Sequence, residues 1–594
     1  MINKTTKLRW RRILRRKVYE VENLSVDTEQ KIEKHFFKRL SRLGDVKRFI
    51  FSWIMLIVLL GFGTVMQLRA LSTYYLTLKP TRGGIYTEGI LGKFTSANPI
   101  YATNSVDSSV SRLIFSGLMK FNSQNQLVGD LAKSVKRNET NDVFTIELKK
   151  DIYWHDSKPI TSDDVVFTYK LIQNPDAKSP FNAYFKSMKI EKLSEHQVKF
   201  ALPHPLSAFP QLLTIGLLPK HKLDKIPAYQ LRSEEFNTVS PIGSGPFVWD
   251  SIQISGQTPE SREEQIGLSA NKDYYEGVPE LDKFIIKAIR DENNMISQFN
   301  KRQIDAMVGL DKKTDNVESD LTINEYEFSL NAQVMVFLKT SNDVLKDKSI
   351  RQALTMATDR TEIIRGLGYA VKPVRGPFLL SHLGYRDDIT QLKYSKNKAE
   401  KLLEKSGWTI GPDGIRAKNK VPLSFSLTSK NNSEYAYVSQ ILQRQWRDLG
   451  IDLKVDLLED AELQSAIALH NYDSLLYGIT VGGDPDVYSY WHSSQADVRS
   501  SSRLNFSEIQ SIQMDSSLEA GRARKDNQLR AIKYKPFLTT WQQEAPAIGL
   551  YQPRFLYVTH GTVNGLSSST INMATDRFAN VHNWQVRTKR VIVQ

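Results

Sequence analysis

In the stretch Asp151–Ile172, DIYWHDSKPITSDDVVFTYKLI, a Trp-His-Asp triplet is followed seven residues later by two adjacent carboxylates. His155, Asp156, Asp163 and Asp164 are residue types that hold metals or move protons. Their spacing argues for a simpler role. No second histidine lies at ligand distance, and Thr161 with Asp164 three positions on is the start signal of a helix, a short capping box. His204, between two prolines, is similarly isolated. A second cluster, GITVGGDPDVYSYWHSS at Gly478–Ser494, carries Asp484 and Asp486 on a Gly-rich loop after Tyr477 and before Tyr488, Tyr490 and Trp491. Carboxylates beside aromatic rings suit a ligand with an amine and apolar side chains. The competing reading makes Asp-Pro-Asp a turn, Asp486 a helix cap and the aromatics core. A third segment, VSPIGSGPFVWD at Val239–Asp250, brings Ser244 either towards a ligand or into a crossover between lobes. The G-x-S-x-G elbow, the H-E-x-x-H helix, the phosphate loop and a G-x-G-x-x-G after a strand are all missing, so the chain reads as a non-enzyme without a cofactor.

The elements that must position these residues are short and mixed. In DVFTIELKKDIYWH, Phe144, Ile146 and Leu148 alternate with polar residues, a strand with one buried face, and a helix with the stripe Val165, Tyr169 and Ile172 follows the loop. LDKFIIKAI reads as a strand, and MISQFNKRQIDAMVGL as helix into strand. SIRQALTMATDRTEIIRGL reads as one longer helix with Ile350, Ala353, Leu354 and Ala357 on one side. KNKAEKLLEKSGW and VSQILQRQWRDLG are helices stopped by glycine, the second leading into the strand IDLKVDLLE. Repeated helix-Gly-strand units predict an α/β fold with partly parallel sheets.

Length and composition frame this. The 594 residues include no cysteine, which removes disulfides, thiolate metal sites, cysteine nucleophiles and the Cys-linked lipid anchor of many bacterial surface proteins. Attachment to a membrane falls instead to Phe49–Leu68, FIFSWIMLIVLLGFGTVMQL, an uncharged run long enough for a hydrocarbon core of about 30 Å. The 48 residues before it carry 15 Lys/Arg against 6 Asp/Glu, a net of +9 out of the whole chain's +15, leaving +6 for the rest. That end is expected in the cytoplasm, with the large C-terminal part outside. The run KLRWRRILRRK fits anionic lipid headgroups better than nucleic acid. Ile32, Phe36, Leu40 and Leu43 mark an amphipathic helix at the inner leaflet. The alternative, a signal peptide cut near Ala70-Leu-Ser72, fits less well, because the apolar run and the basic segment before it are both too long.

Taken in order, the segments from about Gly83 onward resemble the extracellular solute-binding proteins of ABC importers, in particular the large peptide-binding group. RLIFSGLMKFN, the Trp-His-Asp stretch, PIGSGPF, NKDYYEGVPELDKFIIK, QIDAMVGL, IRQALTMATDR, NKAEKLLEKSGW and QRQWRDLGIDLKV are similar to successive family blocks. The resemblance implies the two-lobed periplasmic-binding-protein fold of type II, with a cleft, a hinge and an extra subdomain in the first lobe. On it, lobe I is expected at 83–125, 240–333 and 550–594, the inserted subdomain at 126–239 and lobe II at 334–549. It also implies that the Trp-His-Asp segment is architecture, and that a peptide is held as an added strand with ion pairs to its termini. Delivery to a permease and its ATPase follows, the chain acting as a monomer. The family's amine-gripping Asp falls here on Thr480 or Val481, which leaves Asp484 or Asp486 as the substitute. The usual F-N-T block appears as Leu338-Lys339-Thr340, placing a cation where a neutral amide is common. The expected ligand-binding set is therefore Asp484, Asp486, Tyr488, Trp491, Tyr477, Lys339 and Ser244. Three rivals accompany this reading: a sensor signalling through the basic tail, an extracellular hydrolase, and a binder of a non-peptide solute.

Overall fold

The computed structural model describes residues 13, 15, 17 and 47–592, apart from 259–260, 311–315, 319–321, 501–502 and 567–569. Most of the basic segment and the whole expected amphipathic helix lie outside the described residues. The chain divides into two compact units, Met1–Lys79 with Thr588–Gln594, and Pro80–Arg587. In the first, the helix Lys47–Tyr75 contains the window Phe49–Gln67, long and apolar enough to cross a membrane and with none of it buried against protein. The strand Leu76–Thr81 pairs with the last strand, Arg587–Ile592.

The second unit is built on two main sheets. The larger has eight strands in the order Thr570–Ile571, Ile323–Leu330, Arg554–His560, Ala306–Val308, Ile85–Leu91, Lys283–Ile289, Glu263–Ala270 and Phe247–Ser255. Its centre is parallel, with Ile85–Leu91 flanked in register by Ala306–Val308 and Lys283–Ile289. The other sheet has six strands, Lys372–Pro373, Ala547–Gln552, Ala332–Leu338, Ser474–Thr480, Ser424–Lys430 and Asp452–Leu458. Here Ser424–Lys430 runs parallel to both its neighbours, whereas Ala332–Leu338 is antiparallel to both of its own. These are the sheets of lobes I and II, and the mixed α/β architecture expected from the helix-Gly-strand units is present.

Two chain crossings join the lobes. Ile323–Leu330 continues through Asn331 into Ala332–Leu338, and Ala547–Gln552 through Pro553 into Arg554–His560. The crossings lie side by side, since Leu330 N donates to Pro553 O at 3.1 Å and Gln552 Nε2 to Leu330 O at 3.2 Å. The sheets thus change at Asn331 and Pro553, a few residues from the boundaries at 333/334 and 549/550 that the sequence suggested. Likewise Arg587–Ile592 pairs outside the lobe I sheet instead of extending it.

The inserted subdomain is a four-stranded antiparallel sheet, Ala132–Arg137, Val143–Leu148, Gln197–Ala201 and Lys189–Ser194, covered by the helix Ser162–Gln173. Along Val143–Leu148 the buried residues alternate as predicted, Phe144, Ile146 and Leu148 facing inwards. Thr161 and Asp164 form the capping box, which accounts for two amide groups that the first turn of a helix leaves unpaired. Subdomain and lobe I share one continuous hydrophobic core. Lobe II has a core on each sheet face: Val334, Val336 and Leu338 point to one, Met335 and Phe337 to the other. The predicted helix over 350–366 is two helices, Lys348–Ala357 and Arg360–Gly366. Asp359 breaks it, because its side chain accepts from Thr361 N and Glu362 N and so starts a new helix in place of continuing the old one.

Candidate ligand cleft

The Trp-His-Asp stretch is structural. Trp154 is buried, His155 Nε2 bonds Gly245 O at 3.1 Å, and His155 Nδ1 accepts from Gly243 N. Burial pushes the imidazole down to about 4, so at neutral pH it is uncharged and works as a clamp on the 243–245 loop. Asp156 pairs with His221 at 2.8 Å and Lys222 at 3.4 Å. The loop it clamps packs against the end of the helix Ser105–Ile114: a Cβ on Gly243 would sit 2.0 Å from Ile114 O. Only glycine fits there, and Ser244 beside it is buried in lobe I.

The space between the lobes is defined by contacts that cross it. The inserted subdomain reaches over to lobe II, where Ser207 N donates to Arg522 O at 3.1 Å and Arg137 Nη2 to Lys525 O at 3.2 Å. Lys525 pairs with Glu139 at 3.0 Å. Gln211 Oε1 lies 3.1 Å from where a Cβ on Gly482 would stand, so Gly482, with φ of +66°, is a point where lobe I closes on lobe II. Near the crossings, a chain of amides runs from Asn125 Oδ1 to Asn572 Nδ2 at 2.8 Å, and from Asn572 Oδ1 to Asn331 Nδ2 at 2.8 Å. Asn331 O also accepts from Val481 N and Gly482 N.

Within lobe II the strand Ser474–Thr480 delivers the Gly-rich loop to this place. Asp484 gives both oxygens to Arg530, at 2.6 and 2.9 Å, and Asp486 pairs with Arg522 at 3.0 Å. Burial acts to lower the Arg530 guanidinium, but the two-pronged bond to Asp484 outweighs it and holds the group above its ordinary value. Burial, then the Arg530 charge, lowers Arg137 across the cleft. His382 donates from Nε2 to Gly482 O at 2.8 Å, and burial depresses its basicity. The Tyr490 hydroxyl bonds Thr480 O at 2.8 Å; burial, with the phenols of Tyr184 and Tyr477 nearby, raises its pKa.

The expected ligand-binding residues are thus spread out. Asp484, Asp486 and Tyr488 come together at the lobe contact, each with a partner already in lobe II; Arg522 stacks over the Tyr488 ring at 4.1 Å. Tyr477 packs its edge on Phe506. Trp491 is core, 1% exposed, against Phe337 and Trp541. Lys339 lies beyond the far end of Ala332–Leu338, about 26 Å along the chain from the crossing, where it donates to His470 O at 2.8 Å. Sequence reasoning missed Gln211, Asn125, Asn331, Asn572, Arg522 and Arg530. They come from separate segments with no common motif, and none carries a local signal of burial.

Comparison with known proteins agrees with this fold. The profile of the bacterial extracellular solute-binding proteins, family 5 Middle, matches residues 126–500. The oligopeptide-binding protein AppA of Bacillus subtilis (strain 168) is 29% identical over 489 residues, covering 80% of this chain and 87% of that one. Its structure in complex with a nonapeptide superposes with a TM-score of 0.69 at 26% identity, over 86% of this chain and 100% of that one. NikZ from Campylobacter jejuni, in complex with Ni(L-His), superposes with a TM-score of 0.71 at 26% identity, over 84% of this chain and 99% of that one. With more than half of its length matched by the profile and its two lobes closed over a hinge of two crossings, the chain belongs to the bacterial extracellular solute-binding proteins of family 5.

Proposed function

We propose that the chain captures peptides in the cleft between its lobes and delivers them to an ABC importer, without transforming them. The observation that carries this reading is the closure itself: Gln211, Ser207 and Arg137 of lobe I meet Gly482, Arg522 and Lys525 of lobe II across a two-strand hinge. A ligand that touches both sides shifts the population towards this closed form by its differential affinity, and the closed form is the one a permease reads. The choice of peptide over other solutes is supported by AppA, whose structure holds a nonapeptide.

The helix Phe49–Gln67 serves as a single-span anchor with the basic segment in the cytoplasm and the binding unit outside, which raises the binder's local concentration at its permease. The chain acts as a monomer. Of the expected ligand-binding residues, Asp484, Asp486, Tyr488 and Tyr477 act by shaping the lobe II side of the cleft, their charges and rings being matched by Arg530, Arg522 and Phe506.

The test uses the full chain in detergent micelles with defined synthetic peptide pools, following the thermal midpoint and the masses that co-purify. Binding at a hundredfold excess over Kd stabilises by about 2.7 kcal/mol, a rise of several degrees. A response to Ni(L-His) or to sugars and none to any peptide pool removes the peptide reading and leaves the binding-protein fold.

A further inference from the structure

The lobe II sheet ends in an open edge. Asp452–Leu458 is its last strand, and its one neighbour is Ser424–Lys430, paired in parallel along the whole strand without a bulge or a proline. A strand sends the N–H and C=O groups of successive residues to opposite sides. Here the even-numbered residues face inwards: Asp452 N donates to Leu423 O at 3.0 Å, and Leu458 O accepts from Asn431 N at 2.8 Å. Leu453, Val455 and Leu457 therefore face outwards. Gln443 Nε2 caps Leu453 O at 2.8 Å. Among the described residues no strand lies beyond Val455 and Leu457, so their backbone groups are open to an added strand.

A groove of about 830 Å³ runs beside this edge, between the strand and the helix Asp460–Leu469 that follows it. Its apolar lining includes Leu457 and Leu469, 36% and 67% exposed. Its charged lining is Asp456 and Glu462, both exposed and neither in an ion pair with a described residue. The nearby Lys430 is taken by Asp460 at 2.8 Å, and Lys454, the one cation on the strand, is not part of the lining. Open backbone groups, aliphatic side chains and two unmatched carboxylates complement an extended segment that carries Lys or Arg.

We propose that Asp452–Leu458 and Asp460–Leu469 form a docking groove for an extended basic segment of a partner protein, which adds to the lobe II sheet as its seventh strand. The groove is separate from the cleft. Two strands lie between it and Ala332–Leu338, a distance of about 14 Å across the sheet. All its lining residues fall between 428 and 471, inside lobe II. A segment held there touches one lobe alone, so it binds the open and closed forms equally and leaves their balance unchanged. It acts as a tether, whereas a cleft ligand drives closure.

The experiment follows amide hydrogen exchange at residues 453–458 of the full chain in micelles, with two octapeptides blocked at both ends, one alternating valine with lysine and one valine with glutamate. The lysine peptide is expected to slow exchange of the Val455 and Leu457 amides at least tenfold, and the glutamate peptide to leave them unchanged. Asp456→Lys with Glu462→Lys lowers the affinity for the lysine peptide at least tenfold. Should that reversal fail to fold, Asp456→Asn with Glu462→Gln gives a smaller loss in the same direction. Equal protection by both peptides, protection confined to the cleft loop at 478–483, or no protection by the lysine peptide overturns the proposal. So does a concentration-dependent dimer in light scattering that protects the same amides without peptide, because a second copy then takes the edge.

Discussion

The rim of the cleft and its hinge end solve the burial of polar groups in opposite ways. At the rim, charges are abundant and answered on the spot: Asp484 by Arg530, Asp486 by Arg522, Glu139 by Lys525. At the hinge end the groups are neutral amides, and two of their oxygens, on Asn331 and Gln333, are left over. A buried charge without a partner costs several kcal/mol, so a fold that must open and close keeps each charge paired within one lobe or exposed between the two. An unpaired neutral acceptor costs only about 1–3 kcal/mol. The charged cluster that looks most like a binding site is therefore part of what holds the lobe in shape.

The largest effect expected from this contrast is at Arg530. Arg530→Met leaves Asp484 largely buried and uncompensated, and lowers the stability of lobe II by about 3 kcal/mol in equilibrium denaturation. Adding Asp484→Asn recovers part of the loss. If the double variant is no better than the single one, the pair is not the structural unit described here.

A smaller effect is set by pH. His382, which donates to Gly482 O, has its basicity depressed, first by burial, so the folded protein binds this proton less readily than the unfolded chain does. Its contribution to stability is complete above the ordinary histidine value of about 6.5 and is lost as pH falls below it. The thermal midpoint is expected to drop between pH 7.5 and pH 5, and His382→Gln to shrink that drop. An identical pH profile in the variant would remove His382 from the hinge-end network. The smallest change expected is at the rim's exposed bridge: Lys525→Ala weakens closure by less than about 1 kcal/mol, an effect that fades in added salt. An affinity loss of a hundredfold there would mean that the rim, and not the hinge end, governs binding.

Local elements were legible in the sequence wherever a pattern is set by near neighbours. The alternation of Phe144, Ile146 and Leu148 and the Thr161–Asp164 capping box are present in the structure. So are the glycines after Lys396–Lys405 and Ser433–Arg447, with Gly407 and Gly450 both at φ of +84°. Where a neighbour far along the chain intervenes, the reading slipped. The break at Asp359 is fixed by its cap and by Gln445 Oε1 accepting from Asp359 N. Trp491 reads equally as a ligand platform or as core from the sequence; Phe337 and Trp541 decide for core. For the site, spacing located the loop at 482–486, but the partners of its carboxylates lie about forty residues downstream on helices whose packing no motif announces.

By itself the sequence determined the class of protein: an apolar segment long enough to cross a membrane, an α/β fold, and blocks in the order of a binding-protein family. Those properties depend on composition, periodicity and capping, which act over a few residues. Only the tertiary structure decided which polar groups are spent and which are free. Pairing Asp484 with Arg530, Asn331 with Asn572 and Gln333 with Gly376 depends on bringing together residues far apart in the chain. Hydrogen-bond capacity is a balance over all neighbours in space, and a chain read in order does not contain that sum.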